Sequence, residues 1–147
     1  MSSMRGAAAY SQGGVSSYAR VGVESGVMSA SPHQLIVMLF DGAQVAMRTA
    51  RIHMQQGNAA AKGQALSKAL DIVNNGLLAA LDRDKGGELA DHLASLYDYI
   101  ARLLLAANLH NDEASLEEAS RLLGDIGSAW QEIGRGDVSR DEVIGDA

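Results

Sequence analysis

The stretch Ser31-Pro32-His33-Gln34, running without a break into Leu35-Ile36-Val37-Met38-Leu39-Phe40, restricts this chain more than any other. A serine N-cap accepts a bond from an orphan backbone N–H, and proline at the first helical position has no N–H to leave unpaired. Gln34 falls at the third helical position, where its side chain reaches back to the cap in a capping box. The apolar run from Leu35 to Phe40 covers more than one turn of about 3.6 residues, so the helix has no polar face there. Such a segment must be covered from several sides, and the rest of the chain has to supply the cover.

The pattern beyond it supplies three more helices. The first helix should span residues 32–56, about 38 Å at 1.5 Å per residue, with Gly57 as its stop. Leu35, Leu39, Ala43, Ala46 and Ala50 form one stripe; Ile36, Phe40, Ala43 and Met47 form a second, widened by Met38 and Val45. Gly42 inside it costs about 1 kcal/mol relative to alanine, which points to close approach of another backbone. A second helix, capped by Asn58, should carry Leu66, Ala69, Leu70, Val73, Leu77, Leu78 and Leu81 to about Asp84. Asn74-Asn75-Gly76 is its weak point, and Lys85-Gly86-Gly87 should end it. A third helix over residues 88–109 has the clearest periodicity, with Asp98 and Arg102 paired at i,i+4 outside. The fourth carries Leu116, Ala119, Leu122, Leu123, Ile126, Trp130 and Ile133, pairs Glu117 with Arg121 outside, and closes at Gly134.

Short connections between helices of similar length predict an all-α fold, an antiparallel up-down four-helix bundle over residues 31–134. Residues 1–14 read as a flexible extension and residues 135–147 as a flexible acidic tail. Between them and the bundle, residues 15–30 place Val15, Tyr18 and Val21 at three-residue spacing. Gly22 and Gly26 make this segment a poor autonomous helix, so it is either a loose leader or an arm laid on the bundle.

Composition agrees and excludes. Of 147 residues, 47% are hydrophobic but only 4% aromatic, which suits closely packed helices better than sheets. A net charge of -6 argues against a nucleic-acid partner or an anionic membrane surface. Cysteine is absent, which removes disulfides and thiolate metal sites. No apolar run approaches the roughly 18 residues of a membrane span, and the first ten residues lack a secretory core, so the expected location is the cytoplasm.

Chemistry is hard to find. The sequence has no P-loop, no nucleophile elbow and no dinucleotide glycine fingerprint. A di-iron bundle needs two Glu-x-x-His motifs and two further inward glutamates; Glu88 with His92 is a single copy at the wrong spacing, off the apolar stripe. His33, His53 and His110 lie near helix ends, and Met38 and Met47 suit packing or adaptable contact better than haem ligation. No metal or cofactor is expected, and a metal-binding bundle enzyme is disfavoured. Apolar surface beyond what a core needs points instead to a partner, with amphipathic helices the natural ligand class. A structural bundle that self-associates is the other alternative.

Several widely spaced blocks are similar to the flagellin-specific secretion chaperones of bacterial flagella, the FliS family. They are Val27-Met28-Ser29-Ala30-Ser31-Pro32-His33-Gln34-Leu35-Ile36 with Met38-Leu39-Phe40-Asp41-Gly42-Ala43, Ala61-Lys62-Gly63 with Leu66-Ser67-Lys68-Ala69, and Lys85-Gly86-Gly87-Glu88-Leu89-Ala90. Leu96-Tyr97-Asp98-Tyr99-Ile100, Ala107-Asn108, Asn111-Asp112 and Ala129-Trp130 complete them. The resemblance implies a helical bundle that binds the disordered C-terminal segment of newly made flagellin, prevents its premature polymerisation and delivers it to the export gate. Some members also bind the anti-sigma factor of the flagellar regulon. It further implies that Val15 and Tyr18 belong to an arm covering the bundle when flagellin is absent. The partner-binding residues expected on this basis are Val15, Tyr18, Val21, Ile36, Phe40, Met47, Leu103, Leu104 and Asn108. Two departures stand out: residues 1–13 exceed what members commonly carry before the arm, and Phe40 stands where many have tyrosine.

Overall fold

The computed structural model describes the backbone of residues 30–146 and the side chains of residues 30–134. Helix α1 (Pro32–Gln55) starts at the expected capping box: Ser31 Oγ accepts from the Gln34 N–H at 3.1 Å, and Gln34 Oε1 accepts from the Ser31 N–H at 3.0 Å. Gly57, at φ 73, turns the chain out of α1 in a left-handed conformation that costs glycine little. Asn58 Oδ1 then accepts from the Ala61 N–H and opens α2 (Ala59–Asp71).

Here the expected long second helix is corrected. From Ile72 to Leu78 the chain is π-helical, centred on the Asn74-Asn75-Gly76 weak point, while Val73, Gly76 and Leu77 stay buried. Asparagine and glycine hold the α-form poorly, so tertiary burial of Val73 and Leu77 decides the local geometry. The exit tightens in steps. Ala79 N–H donates to Asn74 O, Ala80 to Gly76 O and Leu81 to Leu78 O, spans of five, four and three residues.

Helix α3 (Arg83–His110) begins ahead of the paired glycines, because Asp82 Oδ1 caps it by accepting from the Lys85 N–H. The interruption expected at residues 85–87 is therefore a break inside α3, where Gly87 leaves the helix at φ 54, ψ -132. Asn111, at φ 53, closes α3. Helix α4 (Glu113–Asp146) follows and runs past Gly134, which was expected to end it. Glycine weakens a helix without forbidding it, and the only proline in the chain is Pro32, so no later residue lacks the N–H a helix needs.

Contacts between helix ends establish the arrangement. The C-terminal end of α1 meets the N-terminal end of α4 through Arg51, whose Nε lies 2.9 Å from Glu113 Oε1 and Nη2 2.6 Å from Glu117 Oε1. Glu117 thus pairs across helices with Arg51 and not with Arg121 as the sequence suggested. The N-terminal end of α1 meets α4 a long way downstream, where Trp130 Nε1 donates to His33 O at 3.2 Å. Lys62, buried near the start of α2, donates to Asn108 O at 3.1 Å and Asn111 Oδ1 at 3.2 Å at the end of α3. Neighbouring helices therefore run antiparallel, α1 lying between α2 and α4, with α3 on the diagonal. Ala43, Ala50, Ala69, Ala90, Ala107 and Ala119 are fully buried at the contacts, with Tyr97, Ile36, Met47, Leu66, Leu77 and Leu104 filling the space between.

Acid should weaken the α1–α4 end contact. Hydrogen bonds from Gln55 and then Arg51 hold the Glu113 carboxyl below its ordinary range, and the Ser115 hydroxyl does the same for Asp112. A lowered folded-state pKa contributes stability that is complete above the unfolded value and lost as pH falls through the folded one. Urea midpoints should therefore fall on acidification through the carboxylate range, and Glu113→Gln should flatten part of that fall; identical acid limbs would contradict this assignment.

Candidate functional site

Near the start of α1 the bundle opens into a hollow of about 90 Å³ lined entirely by apolar and aromatic residues. Phe40 comes from α1, Leu89, Leu93 and Tyr97 from α3, and Ile126, Ala129, Trp130 and Ile133 from α4. The geometry depends on Gly127. A Cβ there would stand 3.2 Å from Phe40 Cγ and Cδ1, so any side chain at 127 would press on the Phe40 ring. Phe40 in turn tilts at 49° to Tyr97 with ring centroids 6.5 Å apart. Trp130 stacks on His33 at 4.6 Å and 20°, and its indole N–H ties α4 to the first turn of α1. A Cβ at Gly134 would run into the same imidazole, so α4 passes as close to α1 there as the His33 ring permits.

Leu89 and Leu96, seven residues apart on one side of α3, are 37% and 38% exposed. Beyond them Tyr99 donates its hydroxyl to Glu118 Oε1 at 2.7 Å, a carboxylate contact that raises the phenol pKa above its ordinary value. An apolar trough lined by aromatic and aliphatic side chains accepts apolar side chains from a helical segment. It offers little for covalent chemistry. Among the described residues no three His, Asp or Glu side chains group as metal ligands, and no helix is long and apolar enough to cross a membrane.

Sequence-predicted contact residues divide into three groups. Ile36, Phe40, Met47 and Leu104 are buried; of these Phe40 alone reaches the hollow, and the other three are closed inside the core. Leu103 is half-buried and Asn108 exposed, its backbone carbonyl taken by Lys62. Val15, Tyr18 and Val21 lie outside the described residues. Leu89, Leu93, Ile126 and Ile133 were missed as site residues. For Leu89 the signal was the seven-residue series Leu89, Leu96 and Leu103, a second row beside the core row of Tyr97, Ile100 and Leu104, and Ile126 and Ile133 stand seven residues apart in the same way.

A helical bundle that presents an apolar trough lined by aromatic and aliphatic side chains has the form of a protein-binding module. Residues 14–137 match the family described as Flagellar protein FliS. The flagellar secretion chaperone FliS of Salmonella typhimurium is 56% identical over 124 residues, which cover 84% of this chain and 92% of that protein. The flagellar secretion chaperones FliS of Escherichia coli and Vibrio cholerae are 47% and 37% identical, over 84% and 83% of this chain and 90% and 89% of theirs. The chain belongs to the FliS family of flagellar secretion chaperones.

The Phe40–Gly127 contact makes a specific demand. Gly127→Val should destabilise the protein by about 1–3 kcal/mol in chemical denaturation, since the added methyls must displace the Phe40 ring from a packed site. An unchanged midpoint would show that the ring is free to move aside.

Proposed function

We propose that this chain binds the disordered C-terminal segment of flagellin in the cytoplasm, keeps it from polymerising prematurely and delivers it to the flagellar export gate. The observation that carries this reading is the trough bounded by Phe40, Leu93, Tyr97, Ile126, Trp130 and Ile133 on a member of a family of flagellar secretion chaperones. A segment disordered on its own folds as an amphipathic helix when it lays apolar residues into such a trough. Each fully buried leucine- or phenylalanine-sized side chain contributes about 1.5–3 kcal/mol, so a few offset the ordering entropy. Several moderate contacts, released one by one, suit a cargo that must leave for export. A second partner consistent with the family is the anti-sigma factor of the flagellar regulon.

The arm completes the cycle. Residues 15–30 end at Ala30, which packs on the core, and Ser31-Pro32 then turns the chain into α1. On this reading Val15 and Tyr18 cover the bundle when it is empty and yield to flagellin when it is loaded, with Ser31-Pro32 as the hinge.

Titration calorimetry with a flagellin C-terminal peptide should give one-to-one binding, and Leu89→Glu should weaken it about tenfold or more, a difference of about 1.4 kcal/mol. No heat from a well-folded protein would overturn the proposal. Hydrogen exchange should show α1 less protected in the double variant Val15→Ala, Tyr18→Ala, and unchanged protection would remove the arm from the cycle.

A further inference from the structure

The Asn74-Asn75-Gly76 stretch of the π-helical segment brings together features that no other asparagine of this chain combines. Of the five asparagines, Asn75 alone is followed by glycine; the others precede Ala59, Asn75, Leu109 and Asp112. That neighbour matters because an asparagine amide can react with the backbone nitrogen of the next residue. The nitrogen attacks the side-chain carbonyl carbon, and a Cβ on the attacking residue hinders the approach. Glycine has none, and its backbone bends freely to reach. Asn75 is also exposed, and it lies in wide π-helical turns. By contrast Asn58 Oδ1 caps α2, and Asn111 Oδ1 accepts from the buried Lys62. Asn74 and Asn108 are exposed, but the residue after each carries a side chain.

The chemistry needs only water. Attack by Gly76 N on Asn75 Cγ forms the N–Cγ bond and breaks Cγ–Nδ2, and Nδ2 leaves as ammonia with the proton from Gly76 N. Water then opens the succinimide ring at either carbonyl. One opening leaves aspartate at 75; the other leaves isoaspartate, whose main chain runs through the side-chain carbon and is longer by a methylene. While the turn is wound this is blocked. Helical backbone angles keep the Gly76 nitrogen from Asn75 Cγ, and Gly76 is buried. Asn75 Nδ2 meanwhile donates to Asp71 Oδ1 at 2.7 Å, which turns the amide back along the helix. Asparagine and glycine are poor helix formers, so this is where the helix opens most readily. We infer that Asn75 is a spontaneous modification site: opening of the π-helical turn lets Gly76 N close on the Asn75 amide, and the product hinders rewinding. The donor to Asp71 is lost, and a second carboxylate takes its place four residues along the same face, a repulsive arrangement. Isoaspartate adds backbone length that the burial of Val73 and Leu77 on either side does not accommodate. The mark accumulates with the age of the chain and does not depend on what binds in the trough.

Trypsin isolates the site, since cleavage after Lys68 and Arg83 releases residues 69–83 with Asn74 and Asn75 as the only asparagines in the peptide. The native full chain is held at mildly alkaline pH, digested beside an unaged sample, and read by mass spectrometry with fragmentation that separates isoaspartate from aspartate. Asn75 should deamidate several-fold faster than Asn58, Asn74, Asn108 or Asn111, with both products present. It should also deamidate several-fold more slowly than in the same chain unfolded in urea. A rate at Asn75 no higher than at the other asparagines, aspartate without isoaspartate, or equal rates in the folded and unfolded chain each overturn the inference. Asn75→Gln keeps an amide at this position but closes a ring far more slowly, so its 69–83 peptide should hold its mass; continued mass gain there overturns the assignment to Asn75. Asn75→Asp supplies one of the products directly. With circular dichroism unchanged, it should speed hydrogen exchange across residues 72–78 several-fold relative to Asn75→Gln, and equal exchange in the two variants overturns the inference as well.

Discussion

Small side chains at the helix contacts govern this structure. Ala43 and Ala50 of α1, Ala69 of α2, Ala90 and Ala107 of α3 and Ala119 of α4 are fully buried, and their size lets the helices lie close. Close approach leaves little internal volume, so a modest set of large residues, Tyr97, Ile36, Met47, Leu66, Leu77, Ile100, Leu104, Leu116 and Leu123, is enough to fill it. Some of the other large apolar residues are left outside it. Met38, Val45, Ile52, Leu89, Leu96, Leu105 and Leu109 are all exposed. A surface rich in such residues follows from an interior built on alanine, and it is the raw material for binding.

The same logic explains why the trough forms where it does. Along most of the α1–α4 contact the helices are stitched by polar pairs, the reciprocal Gln44–Ser120 bonds at 2.8 Å and the Arg51–Glu113 and Arg51–Glu117 pairs. Toward the start of α1 these give way to Phe40, Tyr97 and Trp130, rings too large to interleave as closely as alanine and serine. Glycine at 127 lets one ring in, and the hollow is the space the rings leave. The polar anchors lie at the far end of the α1–α4 contact from the trough.

Much of the architecture was legible in the chain. The capping box at Ser31 and Gln34, the stop at Gly57 and the cap at Asn58 each rest on local chemistry that tertiary contacts do not override. Where the reading failed, the deciding forces were not local. Asn74-Asn75-Gly76 marked a weakness, but only burial of Val73 and Leu77 on either side selects a π-helix there. Gly134 looked like a terminus because helix-breaking tendency is a weak term, overridden when no proline follows. The site suffered most. Leu104 and Leu96 are the same residue type on one helix, and their roles differ by an angle around its axis that becomes readable only when the neighbours are in place.

The π-helical segment also governs how this fold tolerates changes in chain length. Each of its turns holds more residues than the α-helix before it, as the five-residue step from Ala79 to Asn74 shows. Loss of one residue anywhere in an α-helix rotates everything beyond it by about 100°, which would swing Leu66 or Ala69 away from the core. Loss of one residue between Ile72 and Leu78 could be met by tightening the wide turns to α-helical ones, leaving the downstream faces where they were. The segment works as a slack joint, the place among the described helices where a chain of this pattern can shorten by a residue and keep its interior aligned.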